Sequence, residues 1–469
     1  MTQLPRLMVS APGSSQGKTT IALGLMAALR ARGLAVAPFK TGPDYIDPGY
    51  HTLAAARPGR NLDAHLCGPD LIAPLLLHGV AVPEPADVAV IEGAMGLFDG
   101  QLGTPPVGRA GFGSSAHVAK LVQAPVLLVL DASHSSRTLA AVADGLARFD
   151  PDLTVAGVLL NRVGSQRNID EVTRAMTDIG LPVVGAVPRS AGLATPSRHL
   201  GLVPAAERDQ AAVVVAEAES LVTRTVDLDA VMEIARTAPC LDVAAWEPGA
   251  VVSPVASRPR IAVAAGRAFT FRYPETTELL RAAGCEVVEF DPLTATGLPD
   301  GTNGLYVGGG FPEVYADELA GNTVLLGAVG DAVAAGLPTV AECAGLLYLC
   351  RTLDGRPMAG ALDLAAAMSP RLTLGYKAIT AVSDSFLVSR GERVASHEFH
   401  RTAIDLPASW PAGMQPAWQV DDHLEGVVAD PAGTGTPTVH ATYQHLHWAG
   451  FPVAAQRLAV AAAHHAGAC

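Results

Sequence analysis

Three groups of residues in this chain have types and spacings suited to chemistry. The first is A-P-G-S-S-Q-G-K-T-T, residues 11–20, which follows an apolar run and opens a helical pattern. A glycine-rich turn between strand and helix cradles phosphate with backbone N–H groups and the positive end of the helix. Gly17 lets the backbone approach a phosphate. Lys18 is placed for the β- and γ-phosphates of ATP, and the Thr19 hydroxyl, with Thr20 beside it, suits Mg2+. The loop is a variant, because G-x-x-x-x-G-K-[ST] calls for glycine at position 12 and the chain has Pro12 followed by Gly13. The competing reading is a solvated lysine on a Gly/Ser-rich turn, and the flanking strand and helix patterns argue against it.

Acids make the second group. Asp44 and Asp47 fall in the segment P-D-Y-I-D-P-G-Y-H (43–51), read as a loop after the second strand. Glu92 ends the strand A-D-V-A-V-I-E, and Asp99 lies just beyond it. At the carboxyl ends of parallel strands these groups would converge on the phosphate crevice. Mg2+ prefers such oxygen ligands. Thr19, Asp44 and Glu92 are therefore candidate metal ligands, and Asp44, Asp47 and Asp99 candidates for positioning a substrate or an acyl phosphate. For Asp44 and Asp47, turn chemistry is the competing reading. Asn161, ending V-A-G-V-L-L-N, is placed either to read an adenine edge or to close a strand-end turn.

The third group is P-T-V-A-E-C-A-G-L-L, residues 338–347. An apolar run, a Glu-Cys-Ala-Gly turn and a helical pattern form a nucleophile elbow with a thiol in place of a hydroxyl. Cys343 would sit in a strained turn facing a helix N-terminus, a setting expected to lower its pKa. The Ala344 N–H would stabilise an oxyanion, with a second donor from Gly309 or Gly310 in the run G-G-G-F upstream. A cysteine between apolar segments is ordinarily a core residue; the glycine run and downstream histidines favour the nucleophile. His397, His400, His440, His445 and His447 are the available bases.

The elements that must position these groups alternate regularly. Apolar runs at 6–12, 86–93, 124–133, 155–163 and 181–188 read as buried strands between helical patterns, which implies right-handed crossovers and a parallel sheet. Around 240–260 the texture changes to a Pro-interrupted stretch with Pro248, Pro254 and Pro259, a linker signature. Alternation then restarts, and the last ninety or so residues carry short β-like runs. The expected organisation is an ATP-binding P-loop domain over 1–225, a linker over 226–258 and a second α/β domain over 259–469.

Composition narrows the function. The length of 469 residues suits two domains. A net charge of -13 argues against a nucleic-acid partner, which needs a basic face. Six widely spaced cysteines without a CxxC pair read as free thiols in a reducing cytoplasm. The N-terminus has no long apolar core of a signal peptide, and the most apolar stretch, 331–350, contains Asp331, Pro338 and Glu342, so no membrane span is expected.

Together the two sites resemble the cobyrinic and hydrogenobyrinic acid a,c-diamide synthases. In the amino half the resemblance rests on G-K-T-T, P-F-K-T-G-P-D-Y-I-D-P-G-Y-H, N-L-D-A-H-L-C, V-I-E-G-A-M-G-L-F-D-G and T-P-S-R-H-L-G-L-V-P. In the carboxyl half it rests on G-G-G-F-P-E-V-Y-A, A-E-C-A-G-L-L-Y-L, G-Y-K, S-H-E-F-H-R and T-Y-Q-H-L-H-W. The resemblance implies a dethiobiotin-synthetase-like ATP domain joined to a flavodoxin-like class I glutamine amidotransferase domain. It implies Cys343 as glutaminase nucleophile and His445 as its base. His447 stands where the common enzymes of that class carry the glutamate of a triad, so a Cys–His dyad is expected. It further implies Mg2+ and ATP, a corrinoid substrate, L-glutamine as nitrogen donor, and a homodimer, since the family often forms dimers. Related cobyric acid synthases differ after the P-F-K strand. A P-loop switch ATPase with an inactive amidotransferase domain leaves the elbow and the acid cluster without purpose.

Overall fold

The computed structural model describes residues 3–189, 197–198, 201–202, 211–407 and 409–468. It divides into two compact units, Met1–Trp246 and Glu247–Cys469.

Seven strands form the sheet of the first unit: β1 (Arg6–Ser10), β2 (Val36–Thr41), β3 (Arg60–Leu62), β4 (Val88–Glu92), β5 (Val126–Asp131), β6 (Val155–Val163) and β7 (Val183–Pro188). Their order is β3-β2-β4-β1-β5-β6-β7, and each neighbouring pair is parallel. A parallel sheet is covered on both faces, which is why its strands read as unbroken apolar runs; β1, β2 and β4 are buried throughout. Helix α1 (Lys18–Ala31) follows β1 and buries Ile21, Leu25 and Leu29. A Cβ on Gly24 would lie 2.4 Å from Val222 Cγ2, so the glycine permits close approach of the helix Ala211–Thr225.

The segment 43–51 is only partly the expected loop. Helix α2 (Asp47–Ala55) begins inside it with proline in its first turn, where the fixed φ suits a helix start. Within the segment read as linker, Leu228–Arg236 is a helix with Val231, Met232 and Ala235 buried. The chain beyond it is held to the first sheet by Arg6, whose buried guanidinium donates to the carbonyls of Leu4 (2.9 Å), Val122 (2.5 Å) and Pro239 (2.7 Å). The motif at 195–204 lies largely outside the described residues; within it β8 (Ser197–Arg198) and β9 (Gly201–Leu202) form an antiparallel ribbon.

The second unit is built on an eleven-stranded sheet. Its strands are β10 (Arg260–Ala264), β11 (Glu286–Phe290), β12 (Thr302–Val307), β13 (Thr339–Glu342), β14 (Cys350–Leu353), β15 (Arg356–Pro357), β16 (Leu362–Ala381), β17 (Arg393–Ile404), β18 (Met414–Val420), β19 (His423–Ala429) and β20 (Val439–Thr442). The core β11-β10-β12-β13-β20 is parallel, and β19 and β18 continue it antiparallel. In place of short β-like runs, β16 extends over 20 residues and pairs antiparallel with the 12-residue β17. Val307, Ala341, Leu346, Val427 and Ala441 belong to one buried cluster beneath the elbow. No helix among the described residues is long and apolar enough to cross a membrane.

Candidate active sites

In the first unit the carboxyl ends of β1, β2 and β4 bring the phosphate loop and the acids together. Gly17 takes a left-handed φ of 93° as the residue capping α1. A Cβ there would lie 2.1 Å from Asn161 Nδ2, so both conformation and space demand glycine. Asn161 donates to Gln16 O at 2.8 Å and accepts from Arg162 N at 2.9 Å, bracing the loop. Thr20 lies in the first turn of α1. Lys18, almost fully buried, donates through Nζ to Gly13 O (2.7 Å) and Met95 O (2.5 Å). Burial, then the charge of Lys40, push its ammonium down to about 8.

Glu92 is the hub of this site. Its Oε1 accepts from the Thr19 hydroxyl at 2.6 Å and pairs with Lys40 Nζ at 2.8 Å, and its Oε2 meets His51 Nε2 at 2.7 Å. Burial works to raise its pKa, yet Lys40 and His51 outweigh it and hold the carboxyl well below the usual range. Lys40 also pairs with Asp47 Oδ2 at 2.6 Å. Burial works to lower the Lys40 pKa, but Asp47, Glu92 and Asp44 outweigh it and raise it. Asp44 Oδ1 accepts from the N–H groups of Ile46 (2.8 Å) and Asp47 (2.9 Å), the turn geometry that starts α2. Exposed Asp99 accepts from Gly96 N at 2.9 Å, closing the loop after β4, and its charge acts on Lys18.

Thr19 and Glu92 put a hydroxyl and an ionised carboxylate side by side at a helix start. Among the described residues no group of three or more His, Cys, Asp or Glu is arranged for a metal. Mg2+ needs no such group beside a nucleotide, since it takes one or two protein oxygens and completes its shell from phosphates and water. The donor set fits. Lys40 and His51 were not singled out from sequence. Lys40 is hidden inside an apolar strand and His51 inside a helix, and only the register of β2 against β4 (Lys40 beside Glu92) brings the lysine to the site.

In the second unit Cys343 caps the helix Ala344–Leu349 at φ 49° and ψ -100°. A non-glycine residue there is strained, as at a nucleophile elbow. β13 pairs with β20 through Glu342 and Thr442, and Cys343 N donates to Thr442 O at 2.7 Å. That register sets His445, three residues past Thr442, at the same end of the sheet as the thiol. The glycine run after β12 closes on both: Gly345 N donates to Gly308 O at 3.1 Å, and a Cβ on Gly309 would lie 2.5 Å from His445 Cε1. Backbone bonds between His445 and His397 (2.8 and 3.1 Å) fix the histidine to β17, and the thiol donates to Phe399 O at 3.8 Å.

Two expectations need correction. The thiol pKa is raised, not lowered: burial dominates, Glu313 adds to it, and the Ala344 N–H only partly offsets them. Gly309 is not a ready oxyanion donor, because its N–H donates to Phe271 O at 3.2 Å. Gly310 and Ala344 remain; Ala344 N–H already reaches the thiol.

His445 is fully buried and held well below its usual pKa, by burial and then by His397 and His400. The other histidines have different settings. His440 contacts Ser385 Oγ at 3.2 Å, and His400 stacks on Tyr443 at 3.8 Å. His447 stacks on Tyr273 at 4.1 Å and stands 3.7 Å from Glu275. Glu342, just before the thiol, is buried against Tyr306 OH (3.1 Å) and Trp448 Nε1 (3.4 Å), and burial pushes it up to about 8. A cavity of about 560 Å³ is lined among others by Leu346, Lys377, Glu398, Thr402, Glu425 and Tyr443, with neither Cys343 nor His445 in its wall.

A phosphate-loop unit and a thiol-elbow unit on one chain define a glutamine-hydrolysing, ATP-using amide ligase. Residues 7–203 match the CobQ/CobB/MinD/ParA nucleotide binding domain, and residues 260–453 match the CobB/CobQ-like glutamine amidotransferase domain. Hydrogenobyrinate a,c-diamide synthase of Thermobifida fusca is 56% identical over 466 residues, covering 98% of this chain and 97% of its own. The enzyme of the same name from Streptomyces coelicolor is 50% identical over 488 residues, covering 97% and 96%. Cobyrinate a,c-diamide synthase of Synechococcus is 38% identical over 451 residues, covering 95% and 96%. The chain belongs to the a,c-diamide synthase family.

Proposed function

We propose that the chain amidates the a- and c-acetate carboxylates of hydrogenobyrinate, using ATP and glutamine, in the cytoplasm. The observation that carries this reading is a phosphate loop and a thiol elbow on one chain that is 56% identical, over 98% of its length, to a hydrogenobyrinate a,c-diamide synthase. A carboxylate is unreactive towards ammonia at neutral pH. A substrate acetate oxygen attacks the γ-phosphorus of ATP, the bond to ADP breaks, and an acyl phosphate forms. Ammonia then adds to that carbonyl, and phosphate leaves with its electron pair and takes up a proton from the nitrogen, giving the amide. Gly17 and Lys18 hold the β- and γ-phosphates, while Thr19 and Glu92 would hold Mg2+, which would supply neutralisation of phosphate charge there. Asp44, Asp47 and Asp99 are the acids assigned to positioning the acetate.

Cys343 supplies the ammonia. When glutamine binds at the elbow, the thiol passes its proton to His445 as sulfur attacks the side-chain amide carbon. His445 returns that proton to the leaving nitrogen, releasing ammonia, and water hydrolyses the glutamyl thioester. Ala344 and Gly310 N–H groups stabilise the oxyanion. Burial favours thiol and neutral imidazole over the charged pair in the resting state.

The test is mass spectrometry of hydrogenobyrinate and of cobyrinate incubated with enzyme, ATP, Mg2+ and glutamine. The reading expects two successive amidations of hydrogenobyrinate, faster than those of cobyrinate. Failure to amidate hydrogenobyrinate overturns it.

A further inference from the structure

Helix α2 presents Asp47 and His51 one turn apart on the same face. Asp47 reaches Lys40 at 2.6 Å and His51 reaches Glu92 Oε2 at 2.7 Å, while Lys40 and Thr19 both contact Glu92 Oε1, at 2.8 and 2.6 Å. The side chains of His51 and Glu92 are both 0% exposed. An ionised carboxylate only accepts hydrogen bonds, so His51 Nε2 carries the proton and donates it.

The helix that carries His51 is itself held firmly. Thr52 donates to Pro48 O at 2.8 Å, and Gly59 N donates back to the Thr52 hydroxyl at 2.9 Å. A Cβ on Gly59 would lie 2.3 Å from Pro48 O, so the chain leading into β3 presses directly on the start of α2. Arg30 of α1 donates to Leu53 O at 3.0 Å, tying α2 to the helix that follows the phosphate loop. His51 therefore approaches Glu92 from a fixed element, and the two oxygens of Glu92 are divided. One faces the lysine and the loop hydroxyl; the other is taken by the imidazole.

We propose that His51 is a positioning residue, which fixes the Glu92 carboxylate so that Oε1 stays beside Thr19, where Mg2+ and the nucleotide phosphates are held. This rests on the reading of Thr19 and Glu92 as the magnesium ligands. Partners that orient a metal-binding carboxylate typically contribute about 10- to 100-fold in metal affinity or activity. Glutamine reproduces the reach of Nε2 and its donor; leucine fills the space without a donor.

The test compares wild type, His51→Leu and His51→Gln in the full chain. Binding of a fluorescent, non-hydrolysable ATP analogue is titrated with Mg2+, and amidation is followed with ammonium as nitrogen donor. The expected result for His51→Leu is a half-saturating Mg2+ concentration raised about 10- to 100-fold with a matching fall in kcat. Glutamine hydrolysis and its KM should stay within a few-fold, and His51→Gln should recover most of the Mg2+ response. An unchanged Mg2+ requirement in folded His51→Leu, or a His51→Gln variant as impaired as the leucine variant, overturns the role of His51. Wild-type binding that ignores Mg2+ instead overturns the magnesium reading on which it stands.

Discussion

Replacing Glu342 with glutamine removes one buried titrating group while keeping its shape. Its carboxyl is 3% exposed, accepts from Tyr306 and Trp448, and is pushed by burial from 4.5 to about 8. A folded-state pKa above the unfolded one means that the folded chain binds the proton more tightly. The stability it contributes is fully present below pH 4.5 and is lost as pH rises towards 8. At 1.36 kcal/mol per unit, that loss is about 1 kcal/mol at pH 5, about 3 at pH 7 and about 5 above pH 8. Glu342→Gln cannot lose it. The rearranged bonds to Trp448 and Tyr306 shift the variant by a constant amount at every pH, so the slope is diagnostic. Urea unfolding of both proteins from pH 5 to 8, followed by tryptophan fluorescence, reads the second unit well, because Trp410, Trp418 and Trp448 lie there and only Trp246 lies in the first. The wild type should lose about 2 kcal/mol more than the variant between pH 5 and 7. Parallel curves would mean that Glu342 ionises normally and that burial does not control this site.

Three further outcomes follow from the same physics. Lys40→Met leaves Asp47 and Glu92 buried without their cation, costing about 3–5 kcal/mol; calorimetry should show the transition of the first unit falling by about 10 °C, and an unchanged Tm would contradict the pairing. Gly17→Ala forces a side chain into left-handed backbone and against Asn161, so titration calorimetry should show ATP-analogue affinity reduced at least about tenfold, given about 1–2 kcal/mol of backbone strain alone; wild-type affinity would refute that strain. Cys240 is exposed while Cys343 is buried with a raised thiol pKa; iodoacetamide at pH 8 without glutamine should label Cys240 first by peptide mapping, and equal or faster labelling of Cys343 would mean that the resting thiol is already activated.

Where periodicity governs, the chain was legible. The apolar runs around 6–12, 86–93 and 155–163 are β1, β4 and β6, because a strand buried on both faces leaves no choice of residue type. Helix α2 was hidden because its polar, proline-bearing start resembles a turn, and packing beside β2 decides the matter. The strained turn at Cys343 was readable from the elbow motif. Lys40, His51 and the direction of the Cys343 shift were not, since each depends on groups far away in sequence: Glu92 across the sheet for the first two, and burial with Glu313 for the third. Spacing reports neighbours along the chain, whereas charge balance at a buried site is set by what folding brings across it.

The most direct test of the two-site account uses Cys343→Ala with hydrogenobyrinate, ATP and Mg2+, supplied with either glutamine or ammonium and read by mass spectrometry. The account predicts that the variant forms diamide with ammonium at close to the wild-type rate and none with glutamine. Amidation from glutamine by the variant, or loss of the ammonium-dependent reaction together with the glutamine-dependent one, would contradict it.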